Sequence, residues 1–230
     1  MIMPLIAPSM LSADFLNLQK DIDFVNTAAD IFHLDIMDGS FVPNISYGFP
    51  VVEAIAKCAR KPMDAHLMIV NPEKYVRRFA EAGVSMLSFH YEAAGDRSGD
   101  IIELIHSCGM KAGVAINPDI PAESLFPYAE TADYFLIMSV FAGFGGQKFI
   151  PETYERLGTL KNELVRRGRL CTDAEKWFSG ECGCLIEVDG GVSPDNAAAL
   201  VKAGAGILVA GSSVFRAGDP AAAVSAMKAI

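Results

Sequence analysis

"IFHLDIMDG" (residues 31–39) is the stretch whose reading decides the fold. Most of it is apolar, as a buried strand should be, yet His33 and Asp35 stand two apart in it. Residues two apart on a strand point the same way. An imidazole and a carboxylate buried side by side are costly unless something satisfies both. Two questions follow: what kind of sheet carries the pair, and what partners it.

Outward from that stretch one pattern recurs: a short apolar run, a polar or Gly-containing loop, then a segment of helical period. Eight runs are visible: LIAPSM (5–10), IFHLDIMD (31–38), MDAHLMI (63–69), MLSFHYE (86–92), KAGVAIN (111–117), YFLIMSV (134–140), CLIEVDG (184–190) and GILVAGS (206–212). After the first, Phe15, Leu18, Ile22 and Val25 fall at helical spacing, with Asp14 as the expected N-cap. NPEKYVRRFAEAG (71–83) opens on Asn-Pro and closes on Gly, as a helix should. SPDNAAALVKAG (193–204) is punctuated the same way, and another helix is expected over about 152–167. Strict alternation of strand and helix implies parallel strands joined by crossover helices. Eight such units in 230 residues fit one α/β domain, a closed (β/α)8 TIM barrel. An open doubly wound sheet is the alternative, but no G-x-G-x-x-G follows the first strand. The polar stretch at about 168–183 breaks the rhythm and reads as an extended loop before the seventh strand.

Composition narrows the function classes. A net charge of −9 argues against a nucleic-acid or anionic-membrane surface. The short apolar start, MIMPLIAPSML, reads neither as a signal peptide nor as a membrane span. A phosphorylated small substrate stays open, because backbone amides bind phosphate without Lys or Arg. Five cysteines, a sparse and odd count, fit a reduced cytoplasmic protein. Cys171, Cys182 and Cys184 lie near one another in sequence, but a fourth partner at zinc-like spacing is missing.

Active sites of such barrels lie at the C-terminal ends of the strands. There the second strand offers His33 and Asp35, the third His66 and the seventh Asp189. Any one alone has an ordinary explanation, as a hydrogen-bonded core histidine or a turn-forming aspartate. Two imidazoles and two carboxylates converging at one barrel mouth form a divalent-metal site with borderline ligands. Zn2+, Fe2+, Mn2+ and Co2+ all suit that set. Glu187 shares a face with Asp189 but lies deeper, Asp38 should point away, and Asp64 is nearer its strand start. His90 and Glu92 close the fourth strand and either line the site or serve structure. Met37, Met68 and Met138 also sit near strand ends, as core fillers or as a soft site lining.

Glycines form a second constellation: GFGGQKF (143–149), DGG (189–191) and GSS (211–213) follow the last three strands. Phosphate sites in these barrels often form after strands seven and eight, so Gly190, Gly191, Gly211 and Ser212 are the phosphate candidates. The loop after strand six is long and Gly-rich enough to close over a substrate.

Taken in order, APSMLSADF, HLDIMDGSFVPN, DAHLMIVNPEKY, GFGGQKFI and EVDGGV resemble the ribulose-phosphate 3-epimerase family over nearly the whole chain. That resemblance implies a metal-dependent barrel of the phosphate-binding type, a cytoplasmic homo-oligomer without nucleic-acid or membrane partners. It implies interconversion of D-ribulose 5-phosphate and D-xylulose 5-phosphate in the non-oxidative pentose phosphate pathway. Matched motif to motif, it gives His33, Asp35, His66 and Asp189 as metal ligands, Asp35 as proton acceptor and Asp189 as proton donor. Ser9 and His66 would contact substrate. Gly143, Phe144, Gly145 and Gly146, with Gly190, Gly191, Gly211 and Ser212, match the substrate and phosphate loops, and the three methionines match its site lining. The chain departs from the family's NPGFGGQ at Phe141 and Ala142, and its stretch from about 169 to 183 is longer than usual.

Epimerisation at C3 of a 2-ketose needs two acid–base groups on opposite faces of one carbon. Asp35 and Asp189, from strands two and seven, suit those posts, with a metal stabilising the enediolate. Three rivals remain. An orotidine-phosphate-type decarboxylase would carry Asp-x-Lys-x-x-Asp, where residues 35–40 read DIMDGS. A non-catalytic sugar-phosphate binder has no use for the four ligands. An epimerase of D-allulose 6-phosphate would need the same groups.

Overall fold

The computed structural model describes residues 3–230. Its strands are β1 (Leu5–Pro8), β2 (Phe32–Met37), β3 (Met63–Met68), β4 (Met86–His90), β5 (Lys111–Ile116), β6 (Tyr134–Met138), β7 (Leu185–Asp189) and β8 (Ile207–Ala210). They form one eight-stranded sheet in the order β1-β8-β7-β6-β5-β4-β3-β2, every pair parallel. β1 and β2 close the circle through a thinner seam. A single bridge joins Ser9 to His33, and the amides of Asp30 and Ile31 donate to Ile6 O at 3.0 and 3.4 Å. The eight expected runs are the eight strands, and the chain folds as a (β/α)8 barrel.

Alternation sorts the strand residues into two sets. Phe32, Leu34 and Ile36, with Ala65, Leu67, Phe135, Ile137, Ile186 and Val188, face the helices in one continuous apolar core. The residues between them turn inward. On β2 these are His33, Asp35 and Met37, on β3 Asp64, His66 and Met68, and on β7 Leu185, Glu187 and Asp189. Each of these residues except Asp189 is buried. The helices cover the outer set and leave the strand ends to the loops.

The helices Thr153–Arg166 and Pro194–Ala203 stand where the periodicity puts them, the second opened by a Ser193–Asn196 capping box. The first helix begins later than expected, at Leu18. Asp14 does not cap it. Its carboxylate accepts from Leu16 N at 3.0 Å and Asn17 Nδ2 at 2.7 Å, closing a turn ahead of the helix, and Phe15 is left half exposed. The 71–83 segment divides into a 3-10 turn, Pro72–Lys74, and the helix Val76–Glu81.

The stretch expected as an extended loop holds a helix, Ala174–Ser179, capped by Asp173, whose side chain accepts from Lys176 N at 3.1 Å. Cys171 and Cys182 are joined as a disulfide across it, which corrects the expectation of five reduced thiols. Cys58, Cys108 and Cys184 are free. The insertion delivers the chain's one tryptophan. Trp177 is fully buried among Leu5, Ile31, Met86, Tyr134, Leu185 and Ile207, which all lie at or just before strand starts. It therefore plugs the barrel floor, opposite the end where the site lies.

Candidate active site

Four inward-facing side chains of β2, β3 and β7 meet below the barrel mouth: Asp189 ends β7 as expected, but Asp35 and His66 lie mid-strand and His33, second in β2, lies deeper than a strand end. One ligand atom each from His33, Asp35, His66 and Asp189 lies within 4.8 Å of the others. His33 Nε2 is 3.4 Å from Asp35 Oδ1 and 3.9 Å from Asp189 Oδ2, and His66 Nδ1 is 3.3 and 3.8 Å from the same two oxygens. Two ligand atoms about 2.0–2.2 Å from one ion are themselves about 3 to 4 Å apart, so these separations suit a shared cation. His33 Nε2 is buried without a hydrogen-bond partner, an orphan that an ion would satisfy.

The surroundings decide which nitrogens face inward. His33 Nδ1 donates to Asp64 Oδ2 at 2.9 Å, which leaves Nε2 for the site. His66 Nε2 lies 2.9 Å from His90 Nε2, and His90 Nδ1 is 3.5 Å from Glu92 Oε1. With the proton of His66 on Nε2, donated to His90, its Nδ1 is the free donor to a metal. Ser9 Oγ donates to Asp35 Oδ2 at 2.5 Å.

Charge is divided unequally between the carboxylates. Burial works against an ionised Asp35, but His33 and His66 beside it hold it well below the usual carboxylate range. Burial, and then the Asp35 charge, push Asp189 up to about 7. Burial and the Asp64 charge push Glu187 up to about 8, which keeps this buried acid neutral at neutral pH. Burial pushes the His66 ring down to about 4, so it stays neutral. Burial also opposes charge on His33, yet Asp35, Asp64 and Glu187 raise it well above the usual value.

Above the four lies a cavity of about 60 Å³. Asp35 and Asp189 reach it, together with Ser9, Met37, Met68, Met138, Gly143, Phe144, Gly145, Gly146, Gly190, Gly191, Gly211 and Ser212. His33 and His66 do not line it; both are fully buried beneath. Gly190 and Gly191 make the turn out of β7 at φ 114° and 60°. A Cβ on Gly190 would lie 2.5 Å from Val140 Cγ2, and one on Gly191 2.7 Å from Phe149 N, so no larger residue fits that turn. Ser139, just past the end of β6, clamps it, its Oγ donating to Asp189 O at 2.8 Å. The Gly-rich loop is tied at its base by Ala142 N donating to Asn117 Oδ1 at 2.9 Å, and over the cavity by Asn44 Nδ2 donating to Gly143 O at 2.8 Å.

Residues 5–215 match the model of the ribulose-phosphate 3 epimerase family. The chain belongs to the ribulose-phosphate 3-epimerase family. It is 43% identical over 225 residues to ribulose-phosphate 3-epimerase of Mycobacterium tuberculosis, covering 98% of this chain and 92% of that one. It is 41% identical over 227 residues to the cytoplasmic isoform from Oryza sativa subsp. japonica, covering 97% and 92%. The Bacillus subtilis enzyme is 40% identical over 224 residues, 97% of each chain. Among solved structures, the tryptophan synthase α-subunit of Pyrococcus furiosus superposes with a TM-score of 0.69 at 16% identity, covering 100% of this chain and 99% of that one. 3-Hexulose-6-phosphate synthase superposes at 0.65 and 16%, covering 98% of each. These two share the barrel. Among the described residues no helix is long and apolar enough to cross a membrane.

Three further polar residues support the site of this ribulose-phosphate 3-epimerase family member: Asp64 and His90, which the sequence sets near a strand start and a strand end, and Asn44, which it does not single out. Asp64 is two residues before His66, so strand alternation alone puts it on the inward face, where it holds His33. His90 stacks on His66 with ring centroids 5.1 Å apart. Asn44, which ties the Gly-rich loop from 99 residues away, carries no local signal at all.

Proposed function

We propose that this chain interconverts D-ribulose 5-phosphate and D-xylulose 5-phosphate by moving the proton at C3, the epimerase step of the non-oxidative pentose phosphate pathway. The observation that carries the reading is the convergence of His33, Asp35, His66 and Asp189 under one cavity in a chain of this family.

His33, Asp35, His66 and Asp189 would hold one divalent ion, and the mixed N/O set suits Zn2+, Fe2+, Mn2+ or Co2+. When bound, such an ion supplies Lewis-acid stabilisation for the negative charge that develops beside C3. Asp35, kept ionised by His33 and His66 and oriented by the Ser9 hydroxyl, takes the C3 proton from one face. Asp189, near neutrality in its own titration, gives a proton to the other face. The reverse direction exchanges the two roles. The backbone amides around Gly190, Gly191, Gly211 and Ser212 take the phosphate. Met37, Met68 and Met138 line the cavity without acidic protons. The loop of Gly143, Phe144, Gly145 and Gly146 covers the sugar and keeps water out. A cytoplasmic location accords with the naming of the rice relative, and a homo-oligomer with the family resemblance alone.

The test is to incubate the purified protein with each ketose phosphate in D2O, with and without chelator. Deuterium at C3 of the five-carbon sugars, lost on chelation, is the expected result. No exchange with any ketose phosphate overturns the reading, and faster turnover of D-allulose 6-phosphate reassigns the substrate.

A further inference from the structure

We propose that Tyr134, acting through Asp64, is a positioning residue that fixes His33 for the metal. The inference rests on the metal reading above. Tyr134 opens β6, is fully buried and faces into the barrel. Its hydroxyl donates to Asp64 Oδ1 at 2.5 Å, although β4 and β5 separate their two strands in the sheet. The ring crosses the barrel through a slot that its neighbour leaves open. A Cβ on Gly113 of β5 would lie 2.4 Å from Tyr134 Cζ. No side chain could stand there without displacing the phenol.

Asp64 then has both oxygens engaged: Oδ1 by Tyr134 and Oδ2 by His33 Nδ1 at 2.9 Å. The opposite edge of the His33 ring carries Nε2, which faces Asp35 and Asp189. A rival for His33 Nδ1 stands close by, since Glu187 Oε1 is 3.4 Å away. Neither oxygen of Glu187 has a hydrogen-bond partner. The Tyr134 hydroxyl thus pins Asp64 where it, rather than Glu187, holds the histidine. Beneath, Trp177 packs edge-on against the Tyr134 ring at 6.1 Å between centroids. Trp177 Nε1 donates to Asp133 O at 2.9 Å. The insertion clipped by Cys171 and Cys182 therefore denies the phenol room to swing. Tyr134 does not line the cavity, so it has no contact with a substrate there.

Partners one shell beyond a metal ligand typically change metal affinity about 10–100-fold when lost. The experiment titrates Co2+ into the metal-free wild type, Tyr134→Phe, Asp64→Asn and the double variant, following the visible d–d bands. The thermal midpoint of each metal-free protein is recorded alongside. The phenylalanine variant keeps the ring and the floor packing. It should bind Co2+ about tenfold or more weakly, with an altered spectrum, while its metal-free midpoint falls by only the few degrees that one lost buried hydrogen bond costs. The double variant should lose no more than the worse single variant, because both act through His33. Wild-type affinity and spectrum in Tyr134→Phe overturn the inference, as does full additivity in the double variant. A wild type that binds no Co2+ overturns the metal reading itself, and this inference with it.

Discussion

Replacing Asp189 by Asn should separate two reactions that the native protein joins. The backbone at 189 is held by Ser139, whose amide and hydroxyl both donate to Asp189 O, at 2.7 and 2.8 Å, so the amide side chain keeps its place. Burial and the Asp35 charge already push Asp189 up to about 7, so a neutral isostere there costs the fold little. What is lost is proton delivery to one face of C3. A positioned acid or base is worth about 10²–10⁴ in rate, or about 2.7–5.4 kcal/mol of barrier. Epimerisation should fall by that factor at saturating metal. Asp35 is untouched, and it still removes the C3 proton from whichever epimer presents that proton to it. In D2O it then returns a deuteron to the same face. Proton NMR should show one epimer losing its C3 hydrogen without inverting, while the other barely exchanges. Epimerisation within tenfold of wild type refutes the role of Asp189. Exchange in both epimers falling as steeply as epimerisation refutes the division of faces.

Asp35→Asn should show the mirror behaviour, with exchange surviving only in the other epimer, by the same NMR assay. Adding a divalent ion at about 100 times its Kd should stabilise the metal-free protein by about 2.7 kcal/mol, read as a rise in thermal midpoint. An unchanged midpoint counts against the four-residue site. Glu187 is protonated in the folded metal-free protein up to about pH 8 but ionises from about pH 4.5 when unfolded. The unfolded state therefore binds fewer protons in that window, and stability falls as pH rises. Glu187→Gln should flatten this decline between about pH 4.5 and 8, which melts at several pH values would reveal. Trp177→Ala should cost about 3–5 kcal/mol, roughly 6–20 °C in thermal midpoint, because a fully buried indole leaves a hole in the barrel floor.

The barrel was legible because a short apolar run, a polar or Gly-containing loop and a segment of helical period recur along the chain. His33 and Asp35 stood out for the same reason: polar residues on an apolar face break a pattern. Asp64 breaks it too, but its place near the start of β3 made it look remote from the mouth. It is remote, and it acts at that distance by holding the far edge of a ring. Asp14 misled because an aspartate ahead of an apolar period caps a helix or closes a turn with equal chemistry. The floor was beyond reach for a different reason. Trp177 sits in a stretch with no periodicity, and its burial depends on residues from five strands. The Cys171–Cys182 pair and the Gly113–Tyr134 slot are likewise facts of long-range packing, invisible to local pattern.

The thin seam between β1 and β2 sets the order in which the barrel opens. Elsewhere adjacent strands are zipped along their length, whereas here one bridge and two amides at the Ile6 carbonyl hold the circle shut. Local opening begins where the fewest buried bonds must break. Amide hydrogen exchange should therefore be fastest, among strand residues, along this slit. Ser9 and His33 sit on its two banks, and the Ser9 hydroxyl reaches across it to Asp35. An ion gripped by His33 and Asp35 on one bank, and by Asp189 on β7 two strands beyond the other, would act as a rivet through the gap. Loading the protein would then slow exchange at the slit before anywhere else, making closure of the cylinder and readiness for chemistry a single event.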